Sequence, residues 1–116
     1  MFYAISTHTQ LELDNVCYLK GMGNYTIIVF AKGKQLILAK SLAHLLARLP
    51  EAAFLRVSKT YAINVSCLSK ISLKSQNAYA RINTGEEFEI SRRRAAQLRK
   101  RKIYWNQFVP LNRMES

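Results

Sequence analysis

Acidic side chains are scarce in this chain: 7 Asp plus Glu stand against 18 Lys plus Arg in 116 residues, a formal charge of +11. None falls between Asn15 and Pro50, or between Ala52 and Gly85, and each of those stretches holds five cations. The eleven residues from Arg92 to Lys102 add seven more. Self-repulsion on that scale is tolerated where an anionic partner relieves it, with nucleic acid first and an anionic membrane surface second.

Other absences narrow the field. There are only 2 cysteines, Cys17 and Cys67, both in apolar strand-like runs and away from any ligand-spaced histidine. They read as buried free thiols of a reducing cytoplasm and not as a disulfide. No run of about 18 apolar residues and no signal-peptide core occurs, so a soluble, cytoplasmic, non-secreted protein is expected. Phosphate-cradling glycine motifs are missing, and Gly21-Met22-Gly23 lacks a third glycine and reads as a turn. His8 and His44 have no cysteine or carboxylate set at ligand spacing, so neither a metal nor a cofactor is expected. Glu86, Glu87 and Glu89 lie among arginines, where ion pairing or a solvated edge explains them better than acid–base chemistry. Nothing in the chain proposes an enzyme. No internal repeat, low-complexity segment or linker occurs.

What remains is a single-domain length with 49% hydrophobic and 22% charged residues, a globular composition. Short apolar runs at Met1–Ile5 and Gln10–Leu13 read as strands around Ser6–Thr9, and Val16–Leu19 as a third. Gly21-Met22-Gly23-Asn24 is expected to break that run. Tyr25–Phe30 reads as a strand buried on both faces, and Gln35–Ala39 pairs back across the turn Ala31–Lys34. Leucines at 42, 45, 46 and 49 mark one face of a short helix, capped by Ser41 and stopped by Pro50. Strand character resumes from Phe54 to Ile63, then at Leu68–Leu73, Ala78–Ile82 and the alternating Glu87–Ile90. The expected fold is mostly β, with about eight to ten short strands, one central helix and one terminal helix. Residues 1–103 form the domain and 104–116 a C-terminal tail that carries Trp105 and Phe108.

The terminal helix poses a physical problem. Ser91 is a good N-cap and Ala95-Ala96-Gln97-Leu98 favour helix, so Arg92, Arg93 and Arg94 occupy the first turn. A helix N-terminus carries partial positive charge and favours acids there by roughly 0.3–1 kcal/mol per group. A duplex resolves the conflict, because arginine forks pair with guanine edges or phosphates while the cap amides face the backbone. The second polar cluster, Arg56 to Asn64, interleaves strand residues with Ser58, Lys59, Thr60 and Asn64, all able to donate to phosphates or bases.

Taken in order, the GNY of Asn24-Tyr25 with Gly23, the Lys40-Ser41-Leu42 helix start, FLRVSKTYAIN from Phe54 to Asn64, and EFEISRRR ending at Arg94 resemble the LytTR DNA-binding domain of bacterial transcription and response regulators. Phe54, Arg56, Tyr61, Ile63 and Asn64 match that family's central pattern, and Ile90-Ser91-Arg92-Arg93 its last element. Ser58 stands where the family usually has His, and Thr60 where it has Ser. The resemblance spans about Phe2 to Lys102. It implies an elongated arrangement of about ten strands in consecutive small sheets, with loops entering successive major grooves of paired direct repeats. It places Asn24 and Tyr25, Lys59 and Arg93 at DNA contacts. Arg93 is then expected at a base edge and Lys59 at a base or phosphate, with Arg92, Arg94, Arg56, Lys20 and Lys40 on the backbone. Most members carry a receiver domain driven by a histidine kinase and dimerise on DNA. With Met1 directly at its first strand, this chain reads as an excised output domain or a stand-alone regulator.

Two rivals come from the same charge. An RNA-binding β module would need exposed aromatics, whereas Tyr25, Tyr61 and Tyr79 lie in apolar strands expected to be mostly buried. A basic protein-interaction or membrane-surface module would use the Arg92–Lys102 face, but Leu98 is nearly alone as its apolar residue.

Overall fold

The computed structural model describes residues 2–5, 9–74, 76–100 and 114–115. His8, Arg101, Lys102 and most of the expected tail, including Trp105 and Phe108, lie outside the described residues. The molecule measures 41 × 25 × 24 Å, the elongated shape expected, and is built from three small sheets.

A two-stranded sheet pairs β1 (Phe2–Ala4) with β2 (Gln10–Glu12) antiparallel. The central sheet has five strands in the order β5-β4-β3-β7-β6, formed by β3 (Val16–Met22), β4 (Tyr25–Phe30), β5 (Gln35–Leu38), β6 (Phe54–Arg56) and β7 (Tyr61–Asn64). The third sheet runs β10-β9-β8-β11, from β8 (Leu68–Ser72), β9 (Tyr79–Ile82), β10 (Glu87–Glu89) and the two-residue β11 (Met114–Glu115), which joins β8 in parallel. Helix α1 spans Leu42–Leu46 and α2 spans Arg92–Lys100.

Alternation along the central strands gives the sheet two cores. Leu19, Ile28 and Ala62 point to one face and pack with Leu42, Leu45 and Leu49 and with Ile5 and Leu11 from the small sheet. Leu55 and Ile63 point the other way and meet Ile71, Ala80, Ile82 and Phe88 of the third sheet and Ala95 and Leu98 of α2. Each of the Leu, Ile and Phe side chains among them contributes about 1.5–3 kcal/mol by leaving water. Tyr18, Tyr61 and Phe88 lock the second core with edge-on ring contacts at centroid separations of 4.8–6.1 Å. Cys17 and Cys67 lie in it as buried free thiols.

Several local expectations change. The third strand does not break at Gly21 but runs on to Met22, pairing Gly21 with Thr26, and the turn falls at Gly23-Asn24, where Gly23 takes φ +61°. The missing Cβ of Gly21 leaves room for α1, because a Cβ there would lie only 3.0 Å from Cβ of Leu42. Strand β4 is not buried on both faces: Thr26 and Ile28 are buried, whereas Ile27 and Val29 are only partly covered and belong to neither core. The central helix stops at Leu46, and Leu49 reaches the core from the turn that follows. The run from Phe54 to Ile63 is two strands, cut by a loop at Val57–Thr60. Asn64, a candidate donor to DNA, is only 6% exposed, and its amide nitrogen donates to the carbonyls of Leu13 at 2.9 Å and Val16 at 2.8 Å. It is a structural pin between β7 and the turn after β2.

Candidate nucleic-acid interface

Three segments carry the residues singled out by the sequence: the β3–β4 turn with Asn24 and Tyr25, the β6–β7 loop with Lys59, and the start of α2 with Arg92, Arg93 and Arg94. They are distant in sequence. Two backbone hydrogen bonds join them. Gly21 of β3 donates its amide to the carbonyl of Thr60 at 2.6 Å, and Ser91 donates to the carbonyl of Val57 at 2.9 Å. The β6–β7 loop is therefore bonded to both of the other segments.

The β3–β4 turn is short because Gly23 adopts a left-handed backbone, and it presents Asn24 and Tyr25 to solvent. Tyr25 is 54% exposed and Met22, its register partner, 52%, so the expectation of a mostly buried Tyr25 does not hold. Tyr61 and Tyr79 are half-buried. Beside this turn Lys20 reaches over the Tyr61 ring at 5.9 Å. Thr26, fully buried, donates its hydroxyl to the carbonyl of Lys40 at 2.8 Å and so fixes the entry to α1, where Ser41 Oγ accepts from the amide of His44.

The β6–β7 loop is held from inside. Ser58 Oγ accepts from the amides of Thr60 at 3.2 Å and Tyr61 at 3.1 Å, a side-chain turn that closes the loop. The half-buried Arg56 donates from Nε to the carbonyl of Ser58 and from Nη2 to that of Lys59, each at 3.0 Å. Burial, and then the neighbouring Arg94, lower the pKa of this guanidinium. Lys59 itself is exposed.

Ser91 caps α2 as its sequence suggests, its hydroxyl accepting from the Arg94 amide at 3.3 Å. Ala95 and Leu98 anchor the helix in the core, and Arg99 Nε donates to the carbonyl of Leu73 at 2.7 Å. The three leading arginines fan out as the helix turns. Arg92 lines an open groove with Tyr79, Glu87, Glu89 and Arg99; Arg93 is exposed; Arg94 is half-buried near Arg56. The acids of β10 thus lie beside the first of the cations, and Glu87 pairs across the strand with Arg81, whose Nε donates to it at 2.8 Å. Tyr18 donates its hydroxyl to Glu86 at 3.4 Å.

The sequence pointed to Lys20, Lys40, Arg56, Lys59, Arg92, Arg93 and Arg94 but not to Arg99, nor to the parts that join the segments: Gly21, the carbonyl of Thr60, and the inward turn of Arg56. The spacing FLRVSKT held a signal, since an arginine at the mouth of a short loop can reach the carbonyls two and three residues on. Among the described residues no group of His, Cys, Asp and Glu could hold a metal ion, and no helix is long and apolar enough to cross a membrane.

Comparison with known proteins agrees with this architecture. The family model of the LytTr DNA-binding domain matches residues 6–102. Among solved structures, the LytTr DNA-binding domain of a protein from Bacillus cereus described as a methyl-accepting/DNA response regulator superposes with a TM-score of 0.68 at 19% identity, over 86% of this chain and 93% of that one. No curated protein matches. A mostly β chain of three consecutive small sheets, matched over nearly all its length by that family model, belongs to the LytTR family of DNA-binding domains.

Proposed function

We propose that this domain reads duplex DNA sequence-specifically as part of a cytoplasmic bacterial transcription regulator, without catalysing a reaction. The observation that carries the reading is the joining of the three candidate segments, with Lys59 and Arg92–Arg94 on two of them, through the Gly21–Thr60 and Ser91–Val57 hydrogen bonds. An interface assembled before binding does not have to order its loops on the DNA, which leaves more of the contact energy for affinity. In this reading Arg93 pairs with a base edge, Lys59 with a base or phosphate, and Asn24 and Tyr25 reach a neighbouring major groove. Arg92, Arg94, Lys20 and Lys40 serve phosphates, and Arg56 acts from within the β6–β7 loop.

The sites are direct repeats, each half bound by one copy, with the pair forming a homodimer on DNA. Family membership supports a place at the output end of a response regulator, downstream of a receiver domain and histidine kinase, or in a stand-alone regulator. The test is selection of bound duplexes from a random pool, followed by affinity for the selected and scrambled duplexes at roughly 50 and 200 mM salt, with structured RNA as competitor. Enrichment of a repeated element whose preference survives the higher salt is the expected result. Equal loss of both duplexes with salt, or better competition by RNA, would overturn the reading.

A further inference from the structure

Arg56 is more than one more positive charge on the basic surface. We infer that it is a positioning residue, whose guanidinium clamps the β6–β7 loop in the conformation that presents Lys59 and that holds the three segments together. This rests on the DNA reading above for its consequence, but the clamp itself is a property of the free protein.

The argument starts from donor geometry. A guanidinium is a planar fork with donors at fixed angles, and here two of them meet consecutive carbonyls, Ser58 and Lys59, at 3.0 Å each. The amides on the far side of the same turn go to Ser58 Oγ. The carbonyls of Ser58 and Lys59 and the amides of Thr60 and Tyr61 are thereby answered by Arg56 and Ser58, while the Lys59 side chain stays exposed. The flanking carbonyls, Val57 and Thr60, are the ones that accept from Ser91 and Gly21. Release of the clamp therefore loosens not only Lys59 but also the seat of α2 and the β3–β4 hairpin. A phosphate contact needs only charge, whereas a clamp on two carbonyls needs the fork, and lysine has a point charge on a flexible stem.

Arg56→Lys and Arg56→Gln separate the two roles. In the protein without DNA, amide hydrogen exchange at Gly21 and Ser91 should quicken by about tenfold or more in both variants, the scale expected when hydrogen bonds to a charged group are lost. On selected duplexes carrying single base-pair changes, both variants should lose discrimination at the pair read by the β6–β7 loop, while the salt slope on scrambled duplex stays as in the wild type. Unchanged exchange in both variants would overturn the clamp. So would retention of discrimination by Arg56→Lys together with a salt slope lowered by about one in Arg56→Gln, the signature of a phosphate contact. Arg56→Lys keeps charge and stem packing, so it remains readable if Arg56→Gln unfolds. If the wild type selects no duplex, the DNA reading fails, and the exchange experiment alone decides the clamp.

Discussion

Gly21 donates its amide to the carbonyl of Thr60 over 2.6 Å, on a strand where a Cβ would lie 3.0 Å from Cβ and 3.3 Å from Cδ2 of Leu42. The same residue thus ties the hairpin to the neighbouring loop and lets α1 pack against β3. Gly21→Ala should lower stability by about 1–3 kcal/mol, because Leu42, itself 3% exposed, has little room to give way. Urea denaturation measures the loss. A variant as stable as the wild type would show that α1 shifts freely.

Asn64→Ala removes a buried amide that serves two carbonyls, Leu13 and Val16, and whose oxygen accepts from the amide and hydroxyl of Ser66. Leaving those groups without partners should cost roughly 2–4 kcal/mol. The discriminating observation is a stability loss with the DNA salt slope of the residual folded protein unchanged. A lowered slope at full stability would return Asn64 to the list of DNA contacts.

Arg93→Ala should weaken binding to the selected duplex by about 1–3 kcal/mol and blunt preference at one base pair. Lys59→Ala should do the same at a different pair if it meets a base, or lower the salt slope by about one on every duplex if it meets a phosphate. Both side chains are exposed, so unfolding midpoints should move little. Base preferences identical to the wild type in Arg93→Ala would remove it from the reading head.

Burial pushes the Cys17 thiol up from an ordinary value of 9.0 to about 12, with the adjacent Cys67 adding to the effect. A thiol whose folded pKa is raised keeps its proton in the native state after the unfolded chain has lost it. Its contribution to stability is therefore complete below about pH 9 and declines as the pH climbs from there towards 12. At pH 8 neither cysteine should react with iodoacetamide in the folded protein, and both should react in denaturant, as mass spectrometry would report. Prompt alkylation of native Cys17 would contradict its burial.

Much of this molecule could be read from periodicity. Leu42 and Leu45 share a face because a helix repeats every 3.6 residues, and Glu87-Phe88-Glu89 alternates because an edge strand of a sheet has one wet side. Ser41 and Ser91 act as caps where their side chains precede helix formers. Pattern failed where a long-range neighbour decided the outcome. Gly21 resembled a breaker until Leu42 supplied the reason for a missing Cβ, and Asn64 resembled a surface donor because its partners lie about fifty residues earlier in the chain.

Local preferences along the chain set the short strands and two helices, and the imbalance of 18 cations over 7 acids pointed to an anionic partner. Where those cations point depended on contacts far along the chain. Side-chain type cannot reveal which backbone carbonyls will come within hydrogen-bonding reach, and those carbonyls turn Arg56 inward and tie the β6–β7 loop to β3 and to the start of α2, while Lys59 and Arg93 stay exposed.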